Sequence, residues 1–364
     1  MDLKAEYLDL RPQMLEAIDQ ALTSMQLFLG PNVQALEQEF AAFCGVPHAI
    51  GCASGTDACQ IALQAAGIGP GDEVITVAWT FIATLAAILH LGAQPVLVDI
   101  EPTHFNLDPA LVEAAITPRT KALMPVHIYG YPVNMPALQE IADRHGLLII
   151  EDACQAHGAT LNGRAVGSLG AAAAFSFYLS KNLGCYGEGG MITTASDAIA
   201  EQCRLLRNHG YTGKYDHGVI GYNSRLDEIQ AAILRIKLAR LEDSLAKRRQ
   251  QAELYRARLA DTPLIVPPEE PGYRHCYYMF HVRAARRDEL AAFLSERGIG
   301  TAQHYVHPAH HQPALAPYGL NEVSLPVTDQ ASREILILPC HPYLTLEQIE
   351  YVADSIVEFY SKTG

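Results

Sequence analysis

Short apolar runs alternate with amphipathic segments from His48 to Thr194, and nothing else in the chain narrows its fold as far. Strand-like runs occupy 48–52, 73–77, 95–100, 122–126 and 147–150, and helical patterns occupy 58–66, 81–91, 109–116 and 136–145. A helix between successive strands returns the chain to the same end of a sheet, so this order predicts parallel strands with helices on both faces. The stretch 74–98 holds no Asp, Glu, Lys or Arg and superficially resembles a membrane span. His90, Gly92, Gln94 and Pro95 interrupt it, so it divides into strand, helix and strand of a buried core. One α/β domain is expected up to about residue 195.

On the N-terminal side, a weak helical period covers 11–28 and a second helix fits 32–43, with Asn32 as its cap. From 224 to about 260, Leu226, Ile229, Ile233, Ile236 and Leu241 recur near a helical period, which predicts one long connecting helix. Beyond Pro267-Pro268 come a strand at 276–282, a helix at 288–297, a His-rich loop, the run 335–338 and a terminal helix from Leu346. These form a smaller α+β domain. The expected division is 1–240 and 241–364, with the N-terminal helix packing on the smaller part. A formal charge of −14 argues against nucleic acid and anionic membrane as partners. The eight cysteines include no CxxC pair and residues 1–6 show no leader pattern, so a reduced, cytoplasmic setting is expected.

The candidate chemistry centres on Lys181. A charge-free approach, 165–180, precedes it and Gly187-Glu188-Gly189-Gly190 follows, which reads as buried strand, polar turn and glycine-rich return. An ammonium placed there loses hydration and its pKa falls, which suits a Schiff-base nucleophile. Taken alone, a strand-end lysine whose amine reaches water is the simpler reading. Upstream, the apolar run 147–150 ends in Glu151-Asp152, and ligands bind at the carboxyl ends of strands in open α/β sheets. Lysine plus a carboxylate that keeps the pyridine nitrogen protonated is the pair pyridoxal phosphate (PLP) enzymes need. A helix N-cap suits Asp152 equally well. The turn Ala53-Ser54-Gly55-Thr56-Asp57 opens a helix after a strand, which makes either a phosphate cradle or a plain N-cap.

Taken in order, several stretches resemble the PLP-dependent sugar aminotransferases of the DegT/StrS family over nearly the whole chain. They include Leu29-Gly30-Pro31, Gly55-Thr56-Asp57, Glu151-Asp152-Ala153-Cys154-Gln155, Ser176-Phe177-Tyr178, Ser180-Lys181-Asn182-Leu183-Gly184, Asn223-Ser224-Arg225-Leu226-Asp227 and His304-Tyr305. The resemblance implies PLP fold type I: a large domain with a seven-stranded, mostly parallel mixed sheet, and a small C-terminal α+β domain. It also implies a homodimer with active sites at the subunit boundary. By position, Lys181 would form the internal aldimine and shuttle the proton, Asp152 would hold the pyridinium, and Gln155 would contact the cofactor's 3-hydroxyl region. Gly55, Thr56 and Ser176 would bind the phosphate, Phe81 would stack on the pyridine, and Asn223 would reach the phosphate of the partner subunit's cofactor.

The implied reaction moves an amino group from L-glutamate to a nucleotide-linked keto-sugar by way of pyridoxamine phosphate. His304, Tyr305 and His310 would lie near the sugar, with Tyr211 and Arg225 as further substrate contacts. Segments 207–210 and 214–217 look more like relatives acting at C-3 than at C-4. Cys154 stands where the family often has alanine, and Leu179 and Val306 where it often has proline. His304, His307, His310 and His311 are residue types that bind zinc or nickel, but their spacing lacks a second well-formed ligand group and no metal is expected. Two other readings stay open: transamination of an aminocyclitol precursor, and a non-catalytic PLP-fold protein used in regulation.

Overall fold

The computed structural model describes residues 2–363. Seven strands build the main sheet: β1 (His48–Cys52), β2 (Glu73–Val77), β3 (Gln94–Val98), β4 (Thr120–Leu123), β5 (Leu148–Asp152), β6 (Ala172–Ser176) and β7 (Gly190–Thr194). Their spatial order is β1-β7-β6-β5-β4-β2-β3. β7 runs antiparallel to both its neighbours, and the other pairs are parallel. The fold is therefore α/β with a mostly parallel mixed sheet, as expected. Because β7 returns beside β6, the intervening residues turn back at the carboxyl end of β6 with no crossover helix.

The strands are near-continuous apolar runs because helices cover both sheet faces. Alternate residues take opposite sides. Ala49, Ala173, Phe175 and Met191 pack against α2 (Pro31–Cys44) through Val33, Leu36 and Phe40. Ile50, Ala174 and Ile192 pack against α3 (Gly55–Ala65) and α4 (Ala83–His90) through Ile61, Ala62 and Ile88. The uncharged stretch 74–98 is thus β2, α4 and β3. No helix among the described residues is long and apolar enough to cross a membrane.

The expected single helix over 224–260 is two helices, Glu228–Leu238 (α5) and Leu241–Leu259 (α6). The packing partner changes within α6, beyond the break. Leu234, Leu241 and Leu245 belong to the core around Phe40, whereas Ala252, Tyr255 and Leu259 belong to a C-terminal core. That core also holds β8 (Phe280–Arg283), its antiparallel partner β9 (Ile335–Leu338), and the helices Arg287–Glu296 and Leu346–Thr363. Residues 276–278, expected in a strand, instead run as a bent segment, with Tyr277 at φ 45° and the Cys276 N–H donating to Gly130 O.

Asn32 is not a cap. α2 begins at Pro31, and the buried Glu228 carboxylate accepts the N–H groups of Asn32 and Val33. The N-terminal helix α1 spans Leu3–Ser24 and rests chiefly on α5, where Leu10 and Met14 meet Ile233 and Lys237 Nζ donates to Glu6 at 2.7 Å. Its tie to the C-terminal part is the Tyr343 hydroxyl, which donates to Asp9 at 3.1 Å.

Candidate active site

β5 ends in two carboxylates that its pleat sends opposite ways. Glu151 points into the protein, where it accepts the N–H groups of Gly167, Leu169 and Gly170 at 2.8–3.1 Å. His127 completes its shell at 3.0 Å, and the tautomer follows from geometry: Nδ1 accepts the Val133 N–H, so Nε2 donates to Glu151. Asp152 points into a cavity of about 600 Å³. One of its oxygens accepts the Thr84 hydroxyl at 2.7 Å and the other the Cys154 N–H at 3.1 Å. Thr80 and Thr84 share a further hydroxyl bond at 2.7 Å. The carboxylate is held from two sides and retains lone pairs for a ligand N–H.

The turn after β1 lies against the end of β6. Ser54 caps α3, its hydroxyl accepting the Asp57 N–H at 3.1 Å, which leaves the Gly55 and Thr56 N–H groups at the helix start for an anion. Glycine is required at 55 because a Cβ there would stand 2.5 Å from Ser176 Cβ. Gly55, Thr56 and Ser176 therefore form one polar corner of the cavity.

Lys181 sits on the turn between β6 and β7, which is closed by the Phe177 N–H to Gly189 O and the Cys185 N–H to Phe177 O. Its ammonium lies 4.6 Å from the Tyr278 ring centroid. The side chain is half-buried in the cavity, not enclosed in apolar core as the neighbouring sequence implies. Opposite, Gln155 Oε1 accepts the Tyr129 N–H at 2.8 Å, and Nε2 donates to the Tyr305 hydroxyl at 3.2 Å. The Tyr129 hydroxyl in turn bonds the His304 carbonyl. Burial, with the Lys181 charge adding to it, lowers the His304 pKa, and burial raises that of Tyr305.

Nine residues expected in the site line this cavity: Gly55, Thr56, Phe81, Asp152, Gln155, Ser176, Lys181, His304 and Tyr305. Phe81 is 61% exposed and lies at the rim. Four others lie outside it. Asn223 is exposed opposite Asn208, and Tyr211 is exposed on the hairpin with 216–217. Arg225 donates to Asn208 at 3.1 Å and lies over the Phe28 ring. His310 is buried beside His311 and Asp329, away from the lining. Sequence reasoning missed Thr84 as the donor to Asp152 and Tyr278 beneath Lys181. Only the four-residue spacing of Thr80 and Thr84 carried a signal for the first.

Residues 9–357 match the DegT/DnrJ/EryC1/StrS aminotransferase family. The chain belongs to that family. Among curated DegT/DnrJ/EryC1/StrS relatives, it is 50% identical to a "Pleiotropic regulatory protein" of Geobacillus stearothermophilus, over 99% of this chain and 98% of that one. It is 49% identical to a dTDP-3-amino-3,4,6-trideoxy-alpha-D-glucose transaminase of Streptomyces venezuelae, over 99% and 95% of the two chains. Among solved structures, S. venezuelae DesV in complex with a ketimine intermediate superposes at TM-score 0.96 with 48% identity, covering 99% of this chain and 97% of that one.

Proposed function

We propose that this family member is a cytoplasmic, homodimeric PLP aminotransferase that carries nitrogen from L-glutamate to a nucleotide-linked keto-deoxysugar, the 3-keto form favoured. The observation that carries the reading is the convergence of Lys181, Asp152 and the Gly55–Thr56–Ser176 corner on one cavity. These residues fit PLP. The corner offers N–H and hydroxyl donors to a phosphate, where a Cβ at residue 55 would intrude, and Asp152 keeps lone pairs for a ring N–H. The S. venezuelae relative's name, that of a 3-amino-sugar transaminase, supports the substrate class and the 3-keto preference. Exposed Met25, Phe28 and Ile220 are apolar surface that a second copy would cover, and Asn223 would face that copy's cofactor.

When bound, PLP supplies an aldehyde that takes up the amino group and a ring that accepts an electron pair. The protein's part is placement and proton transfer. Lys181 Nζ would hold the cofactor and carry the proton removed from the donor's Cα. Asp152 keeps a proton on the ring nitrogen, while Thr84 and the Cys154 N–H fix the carboxylate's orientation. Gln155 and Tyr305 form one wall, with His304 toward the substrate.

The first test is a visible spectrum of the protein with PLP, before and after L-glutamate, beside Lys181→Ala. The lysine-bound band is expected in wild type, bleached by glutamate and absent from the variant. A wild type indistinguishable from the variant would favour the second reading, a non-catalytic regulatory protein, which the Geobacillus relative's name suggests. If glutamate bleaches the band, keto-sugars and aminocyclitol precursors should be compared as acceptors.

A further inference from the structure

The His-rich loop divides in the structure. His304 joins the active-site cavity, while His310 and His311 turn toward Asp329 on the helix Pro326–Glu334. His310 is 1% exposed, yet neither of its ring nitrogens makes a hydrogen bond. Its Nε2 lies 3.2 Å from Asp329 Oδ1 but off the line such a bond needs. His311 Nε2 reaches the same oxygen at 2.7 Å. One ligand atom from each of the three residues falls within 4.8 Å of the others.

We propose that His310, His311 and Asp329 bind one divalent transition-metal ion, zinc by preference. An unpaired polar group in the interior is costly, and native proteins rarely leave one without a water or an ion. Two imidazoles and a carboxylate, completed by water, are a zinc donor set. In tetrahedral zinc sites, ligand atoms about 2.0–2.1 Å from the ion stand roughly 3.4 Å apart. The His310–Asp329 separation of 3.2 Å is already close to that. His311, with 48% of its side chain exposed, gives solvent access. The surroundings are rigid: the Ala309 N–H donates to Ala78 O, and Asp99 accepts the N–H groups of Val327 and Thr328. The bound ion would thus fasten the segment after His304-Tyr305 to that helix, without touching the reaction.

The test uses the full-length holoenzyme, stripped with EDTA, desalted and titrated with zinc chloride by calorimetry, with bound metal counted by elemental analysis. One equivalent per chain and a higher melting temperature are expected. His311→Ala and Asp329→Asn should each weaken binding at least tenfold, and His307→Ala should leave it unchanged. Three results would overturn the proposal. They are no stoichiometric uptake, uptake undiminished in both variants, or uptake abolished instead by Cys154→Ala, which would move the ion to the Cys59–Asp152–Cys154 group.

Discussion

Thr84 acts on Asp152 through a single hydroxyl, which makes its contribution measurable. Replacing it with valine keeps the volume and removes a donor to a buried carboxylate, an interaction of about 1.5–3 kcal/mol. Stopped-flow bleaching of the PLP band by glutamate should slow about tenfold or more in Thr84→Val, with little loss of fold. An unchanged rate would mean Asp152 does not depend on that hydroxyl. Gly55→Ala tests the phosphate corner. Its Cβ would press on Ser176, so PLP affinity should fall at least tenfold in a fluorescence titration while the apoenzyme stays folded. Lys181 and Asp152 were legible in the sequence because each stands at the carboxyl end of an apolar strand, where a charge is conspicuous. Tyr278 was not, because its meeting with Lys181 spans nearly a hundred residues that no local pattern records.

Among the elements, the start of α2 shows why local signals misplace a cap. Asn32 has the chemistry of one, but Pro31 fixes the first helical residue and leaves Gly30 at the cap position. The first-turn N–H groups go to Glu228, almost two hundred residues away. Glu228→Ala should therefore uncap α2 and open a gap beneath it, costing about 2–4 kcal/mol from two charge-assisted bonds and the lost favourable helix-dipole contact. A melting temperature several degrees lower in calorimetry is the expected result. The division of 224–260 into α5 and α6 was invisible for a related reason. No glycine or proline marks Ala239-Arg240, and the leucines on both sides of the break, Leu234 and Leu241, pack in the same core, so the apolar period runs through it unbroken. Alternation of strand and helix, by contrast, is local, and the sheet could be read from it almost strand by strand.

For the whole molecule, buried neutral histidines set an acid limit. Burial, with the Lys181 charge adding, pushes His157 down to about 3, and burial beside His104 and arginine charges pushes His281 down to about 3. Their folded values lie below the unfolded value of about 6.5, so the unfolded chain binds more protons throughout that window. Stability is full above about pH 6.5 and falls as pH drops toward 3, by about 2 kcal/mol per histidine on reaching pH 5. Urea titrations at pH 7 and pH 5 should show this loss, and His157→Phe should remove about half of what the pair contributes. The strand order carries another consequence, for synthesis. β1 has β7 as its neighbour in the sheet, and His48 pairs with Thr194. A ribosome adding about 5–20 residues per second needs roughly 7–30 s between those two points. Throughout that interval the first strand made waits on the last, and a nascent chain stalled before residue 190 presents an apolar edge to chaperones and proteases.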